Sequence, residues 1–134
     1  MSAYLANDEL DDLALPPDTR EGATPDQKTA AISAASAIAD GHLVAGGVTL
    51  PLTSWGDDLR EAVAAIAAFN LATTLGLAPE SGERSNLYLR RKAALDWLTR
   101  VGEGKVKPVG LVDADPTVPA TVGVSLITNA RRGW

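Results

Sequence analysis

The chain contains no cysteine, a single histidine and few aromatic residues, which make up 4% of its 134 positions. Without cysteine there is no disulfide framework, no thiol nucleophile and no thiolate metal site. His42 has no nucleophile signature near it, so it is interpreted as a capping or packing residue rather than a catalyst. No apolar run approaches the length of about 18 residues that a membrane-spanning helix needs, so no membrane contact is expected.

The motifs that bind phosphate or metal ions are also missing. Gly102-Glu103-Gly104 does not continue into the G-K-[ST] of a phosphate-binding loop. Asp113-Ala114-Asp115 is similar to the opening of a calcium loop, but Pro116 follows it and the later glycine and glutamate are absent. The acidic residues at positions 8–12 are interpreted as the solvated start of a helix. The sequence therefore predicts no enzyme, no cofactor and no metal site.

The overall charge is acidic, with 12 lysines and arginines against 17 aspartates and glutamates and a formal net charge of −5. Phosphate neutralisation needs clustered lysine and arginine, so a monomer of this chain is a poor candidate for direct nucleic-acid binding. The opening MSAYLANDELDD has neither a basic start nor an apolar run, so it is not expected to be a signal peptide. The length fits one domain.

Periodic apolar residues predict an all-α, small four-helix domain with one short and three long helices. The short helix is expected from Asp8 to Leu15, with Asn7 as its N-cap and Pro16-Pro17 as its stop. The long helices are expected at positions 25–44, 54–75 and 85–101.

Start signals and apolar faces define the long helices. Thr24-Pro25-Asp26-Gln27 is a capping box with proline at the first helical position, and Ser54 with Asp57 is a weaker box. The helix at 54–75 is apolar over much of its circumference and is predicted to be the central one. Trp97 is interpreted as a flank of the core rather than an interface anchor. The helix at 25–44 has a stripe formed by Ile32, Ala35, Ala39 and Leu43, with Ala31, Ala34 and Ile38 beside it.

Residues 104–134 are predicted to form an extended C-terminal arm without a core of its own. The arm contains Pro108, Pro116 and Pro119 and keeps no helical period, yet it carries too many apolar residues to remain in water. Such an arm usually completes its burial on another chain, where it can add short β-strands. A helical body at 1–103 is therefore expected to end where the arm begins. The alternative is that the arm folds back on its own domain.

Several short motifs occur in an order known from one family. They comprise Ala3-Tyr4-Leu5, Asp8-Glu9-Leu10, Asp40-Gly41-His42-Leu43, Val48-Thr49-Leu50-Pro51-Leu52, Leu59-Arg60-Glu61-Ala62-Val63, Arg91-Lys92-Ala93-Ala94-Leu95-Asp96-Trp97-Leu98, Gly104-Lys105-Val106 and Asn129-Ala130-Arg131-Arg132-Gly133-Trp134. Through them the chain resembles the Mu-like family of phage head–tail connector (adaptor) proteins. That family has a similar D-G-Y-L … Y-T-L-P-L block, an A-L-x-W-L helix followed by G-K, and a terminus close to R-x-x-x-G-F. His42 stands here in place of the usual tyrosine, and Gly47 where a bulky residue is common.

The resemblance implies a structural virion protein, an α-helical adaptor that forms a ring of about twelve copies. Such a ring lies beneath the portal protein and above the next neck component, a stopper or tail-terminator protein. Genomic double-stranded DNA passes through its centre. The implied partners are further copies of the chain, the portal, the next neck protein and, transiently, DNA. The implied location is the neck of the virion, after assembly in the host cytoplasm.

Two sets of residues are expected to serve this function. Asp57, Asp58 and Glu61, or else the acidic cluster at positions 8–12, are expected to line the channel. About twelve copies with a net charge of −5 each would give a ring charge of roughly −60, which repels passing DNA. The arm residues expected to dock on the portal or on another subunit are Val122, Val124, Leu126, Ile127, Arg131, Arg132, Gly133 and Trp134.

Two other functions are weighed against the adaptor. A different neck component, such as a head-completion or stopper protein, would be richer in strands than three long helices suggest. A small helical regulatory or antitoxin-like protein would carry a basic DNA-binding patch or form a low-order dimer. The acidic charge disfavours the basic patch.

Overall fold

The computed structural model describes residues 3–76 and 85–112. These residues contain no strand, only an isolated antiparallel bridge between Ser54 and Val112. The all-α class predicted from the sequence is therefore confirmed. The helices are α1 (Asn7–Leu13), α2 (Pro17–Gly22), α3 (Pro25–Ala45), α4 (Asp57–Thr74) and α5 (Ser85–Gly102).

Helices α3, α4 and α5 each contact the other two and form a three-helix bundle, while α1 lies against α3 and α4. The ends of α3 and α5 meet so closely that a Cβ atom at Gly46 would stand 2.4 Å from the carbonyl oxygen of Val101. Helix α4 begins at this same end, where Val109 lies against Gly56. Helix α4 is therefore antiparallel to both of its long neighbours.

Helix α4 is the central helix, as predicted. Every residue from Ala62 to Ala68 is buried, which covers about two full turns and so the whole circumference of the helix. Five of these seven side chains are alanines, and their small size lets the neighbouring helices lie close. Leu59 and Leu71 extend the buried surface towards both ends of α4.

The N-terminal region differs from its prediction. Pro17 begins a further helix, α2, instead of ending α1, because proline fits the first helical position, where no N–H is needed. Asn7 is not the N-cap of α1, which is Ala6. The Ala6 N–H donates to the Glu9 carboxylate at 2.9 Å, and the Asn7 amide donates to the Pro25 carbonyl at 3.2 Å.

The two predicted capping boxes have opposite outcomes. The Gln27 N–H donates to Thr24 Oγ1 at 3.1 Å and the Thr24 N–H donates to the Gln27 side chain at 2.9 Å, so the first box is confirmed. The second is wrong, because α4 begins at Asp57 with Gly56 as its N-cap. The backbone of Ser54 is instead paired with a segment that follows α5.

Helix α3 buries only one of its apolar sides. The predicted stripe from Ile32 to Leu43 is buried, but Ala34 and Ile38, which were expected beside it, are exposed. The bundle lies on one side of α3 and nothing among the described residues covers the other side. The pattern of apolar residues did not distinguish these two sides, since both lack charge.

Candidate assembly site

The segment after α5 is held against the start of α4. We call residues 105–112 the arm base. The Val109 N–H donates to Asp58 Oδ2 at 2.8 Å. The Thr53 N–H donates to the Val112 carbonyl at 2.8 Å, and the Val112 N–H donates to the Ser54 carbonyl at 3.0 Å. These bonds place Val112 beside the N-terminal end of α4.

Gly56 makes this close approach possible. A Cβ atom at this position would lie 2.4 Å from the carbonyl oxygen of Val109, which is closer than any side chain tolerates. The backbone of Gly56 is in the extended region, with φ −101°. The need for glycine therefore comes from space and not from backbone conformation. No pattern in the sequence linked Gly56 to Val109, since the two are far apart along the chain.

An aromatic corner connects the N-terminus to the same end of the bundle. The rings of Tyr4 and Trp55 pack edge to face with centroids 4.9 Å apart, and the Trp55 indole N–H donates to the Tyr4 carbonyl at 3.1 Å. The Tyr4 hydroxyl donates to the carboxylate of Asp40 on α3. Burial, and after it the hydrogen bond to Asp40, raise the pKa of Tyr4 well above its usual range. No pattern in the sequence linked Tyr4 to Trp55 or to Asp40, since these residues are far apart along the chain.

The three predicted channel acids lie together on the first turns of α4, but each has a partner. The Asp57 carboxylate is almost fully exposed and lies 3.1 Å from the guanidinium of Arg60. Asp58 accepts the Val109 N–H described above. The Glu61 carboxylate lies 3.5 Å from the Arg90 guanidinium, which also donates to a backbone carbonyl of α1. The negative charge at this point is therefore partly compensated.

The alternative acidic cluster of the first helix is also partly paired. Asp11 lies 2.8 Å from Lys28 Nζ on α3, in a largely buried ion pair. Glu9 lies 3.7 Å from Arg60. These contacts attach α1 to α3 and α4, so the cluster has a packing role that its composition did not indicate.

A groove runs between α4 and α5 on the outside of the bundle. Its volume is about 370 Å³. The floor is alanine, and Trp97 and the Glu61–Arg90 ion pair stand at its edges. Trp97 packs against the core, as predicted, and lines this groove as well. The α4–α5 groove is lined by Asp58, Glu61, Ala62, Ala65, Arg90, Ala93, Ala94 and Trp97.

The predicted docking residues of the arm lie outside the described residues. They are Val122, Val124, Leu126, Ile127, Arg131, Arg132, Gly133 and Trp134. The calcium-loop-like sequence at positions 113–115 also lies outside them, and the boundary between body and arm stays a prediction. Within residues 3–76 and 85–112, no group of three or more acidic, histidine or cysteine side chains is placed to hold a metal ion. None of the described helices is both long and apolar enough to cross a membrane.

The described residues therefore form a small helical bundle with the arm base held at one end and a groove with an alanine floor between α4 and α5. A family model described as bacteriophage Mu, Gp36 matches residues 1–127. The chain belongs to this family and is a phage protein of the structural, head-related type, which confirms the Mu-like phage family predicted from the motifs. No curated protein and no solved structure matches the chain.

Proposed function

We propose that this protein is a head–tail adaptor of a phage virion. Copies of the chain form a ring beneath the portal and join it to the next neck protein, and genomic DNA passes through the ring. Membership of the Mu Gp36 family supports a virion role. The more specific proposal, that the protein lies in the neck of the virion, is supported by the way the arm base is held against the start of α4.

The observation that carries the proposal is the anchored origin of the arm. Because Asp58 and the backbone of residues 53–54 hold the arm base, Val112 lies at a defined end of the bundle. The 22 residues at 113–134 have a fully extended reach of roughly 70 Å. That reach exceeds the size of the domain and allows the arm to contact the portal or the next neck protein. Within it, Arg131, Arg132 and Trp134 are of the residue types that most often dominate protein interfaces.

The charge of the ring fits a channel for DNA. About twelve copies at −5 each carry a charge of roughly −60, which keeps DNA from adhering during passage. Of the three predicted channel acids we assign Asp57 to the channel wall, because its carboxylate is 97% exposed. Asp58 is used to hold Val109, and Glu61 is paired with Arg90 at the edge of the groove.

Deletion of residues 125–134 tests the role of the arm. The deletion leaves the arm base and the bundle unchanged, so we expect a folded helical protein by circular dichroism. Heads that carry the truncated protein should fail to join tails, as seen by electron microscopy of infected-cell lysates. The matched control replaces Ser125 with alanine in the full chain and should give normal virions. Normal joining by the truncated protein would refute the docking role, and cryo-electron microscopy of the neck gives copy number and arm path directly.

A further inference from the structure

The α4–α5 groove is suited to a single large side chain from outside the bundle. Its volume of about 370 Å³ lies at the small end of the range for binding pockets. The floor consists of alanine side chains, which end at Cβ and leave the space above them open. Trp97 stands at one edge and offers an aromatic ring for edge-to-face packing. An aromatic side chain that entered the groove would therefore contact apolar surface on the floor and Trp97 at the side.

The edge of the groove formed by α4 is acidic. It carries Asp58 and Glu61, and Arg90 is the one basic residue among the described residues that line the groove. Both oxygens of the Asp58 carboxylate accept backbone N–H groups, from Leu59 and Val109. The Glu61 side chain is 53% exposed and lies 3.5 Å from the Arg90 guanidinium, which is a loose ion pair. Glu61 can therefore accept hydrogen bonds from a further cation at this edge.

Of the two longer segments outside the described residues, the charge of the groove favours the arm. Positions 77–84 carry two glutamates and one arginine, so they would bring further negative charge to an acidic edge. We call positions 131–134 the arm end. The arm end contains Arg131, Arg132 and Trp134 and no acidic residue. It therefore offers both the positive charge and the aromatic ring that the groove can accept.

The arm also begins beside the groove. Asp58 lines the groove and accepts the Val109 N–H of the arm base at 2.8 Å. Val112 lies three positions further along, at most about 10 Å away, and the groove follows α4 for about 10 Å from Asp58 to Ala65. Eighteen positions separate Val112 from the arm end, and an unconstrained chain of that length spans about 23 Å on average. This span matches the distance to the groove, which is the condition for the highest effective concentration of a tethered ligand.

We propose that the arm end docks into the α4–α5 groove of its own chain. Trp134 enters the groove between the alanine floor and Trp97, and Arg131 or Arg132 pairs with Glu61. The short tether favours the groove of the same chain over that of a second copy as long as free subunits are dilute.

The docking itself does not depend on the adaptor function, but its consequence rests on the proposed function. A docked arm end is unavailable to the portal and to the next neck protein until it is released. Free subunits therefore keep the arm end on their own surface before assembly, and the partner that binds the arm has to displace it from the groove.

Disulfide trapping in the full-length protein tests the docking, because the native chain contains no cysteine. The test pair is Ala93→Cys in the groove with Gly133→Cys in the arm end. The control pair is Thr99→Cys with Gly133→Cys, since Thr99 is exposed on a side of α5 that faces away from the groove. Thr99 is also closer along α5 to the arm base, so tether length does not favour the test pair. Under mild oxidation of dilute protein, the test pair should close within one chain at least about tenfold faster than the control pair.

Non-reducing gels and intact-mass measurement distinguish the possible products. Equal rates of closure for the two pairs would overturn the inference, because the arm end then has no preference for the groove. Covalent dimers and higher oligomers of the test pair, in place of a closed monomer, would overturn it as well. They would mean that the groove receives the arm end of another copy.

Substitutions added to the test pair examine the two contacts separately. Trp134→Ala should slow its closure at least about tenfold if the indole fills the groove. Glu61→Gln keeps the shape of an exposed side chain and should slow closure about threefold through the lost charge pair. Asp96→Asn removes the same charge from an exposed position of α5 outside the groove and should leave the rate unchanged. Closure that is insensitive to both Trp134→Ala and Glu61→Gln would contradict the proposed contacts.

Joining of heads to tails in vitro separates this inference from the proposed function. With the disulfide of the test pair closed, joining should fail, and reduction should restore it. Equal joining by the oxidised and the reduced protein would contradict the need to release the arm end. Fast closure in a protein that never supports joining would keep the docking and contradict the adaptor function. Slow closure in a protein that supports joining would contradict the docking and keep the adaptor function.

Discussion

Helices α3 and α4 have similar compositions but different surroundings. Both are rich in alanine and low in charge on most sides. Helix α4 is enclosed by α1, α3 and α5, and every residue from Ala62 to Ala68 is buried. Helix α3 stands at a corner of the bundle and leaves Ala34, Ala37 and Val44 in water. The same kind of sequence therefore builds a core in one place and an open surface in another.

The largest expected effect is in α4. Leu59 is fully buried, so Leu59→Ala should lower the free energy of unfolding by about 3 kcal/mol, through lost burial and a cavity. The matched control is Leu89→Ala on α5, because the side chain of Leu89 is 57% exposed. This substitution should change the free energy of unfolding by less than about 0.5 kcal/mol. Urea denaturation of the monomer measures both. Equal losses would show that Leu89 is covered in solution.

A matched pair on α3 compares its two sides directly. Ala39 is fully buried, so Ala39→Leu overpacks the core and should cost about 2 kcal/mol. Ala34→Leu makes the same change on the exposed side of α3 and should alter monomer stability by less than about 0.5 kcal/mol. Thermal unfolding at low protein concentration separates the two. A large loss for Ala34→Leu would mean that another part of the same chain covers this side of α3.

A smaller effect is expected at the arm base. Gly56→Ala places a Cβ atom against the Val109 carbonyl, and relieving that contact should cost about 1–2 kcal/mol. Amide exchange at Val109 and Val112 should become faster, because their hydrogen bonds loosen. Gly41→Ala is the control: a Cβ atom there meets nothing within 4 Å, and the variant should gain about 1 kcal/mol in helix stability. Unchanged exchange in Gly56→Ala would show that the arm base is not held as described.

The smallest effect concerns the aromatic corner. Tyr4→Phe removes the hydroxyl that donates to Asp40 and should cost about 1 kcal/mol at neutral pH. Because the pKa of Tyr4 is raised in the folded protein, the unfolded chain loses this proton first as the pH increases. The contribution of the Tyr4 hydroxyl to the free energy of unfolding is complete below a pH of about 10 and is lost as the pH rises above that value. The stability difference between wild type and Tyr4→Phe should therefore shrink above that pH; a constant difference would contradict the buried hydroxyl.

Much of the fold followed from local patterns. The three long helices, the capping box at Thr24 and the central position of α4 were predictable because they depend on residues a few positions apart. Helix α2 was missed, since Pro16-Pro17 was interpreted only as a stop although proline also suits a helix start. The start of α4 was placed too early because Ser54 matched a capping pattern, while its backbone pairs with Val112 instead.

The candidate site was less predictable than the fold. Asp57, Asp58 and Glu61 were identified as acidic residues at a helix start. The partner of Asp57, Arg60, lies in the same helix, but the partners of Asp58 and Glu61 come from other parts of the chain. Arg90 and Val109 reach them only after the bundle has formed. The roles of Trp55 and Gly56 were not visible either, because each depends on a neighbour distant in sequence. The docking residues of the arm stay predictions.

The sequence by itself determined the helical class, the order of the long helices and the membership of the Mu Gp36 family, because periodicity, caps and motif order are properties of neighbouring residues. Only the tertiary structure decided which side of α3 is covered, where the arm base is anchored and that a groove opens between α4 and α5. These features depend on which surfaces meet after the chain folds. The apolar pattern of the sequence indicates how much surface favours burial, whereas tertiary packing decides how much of that surface the chain buries by itself.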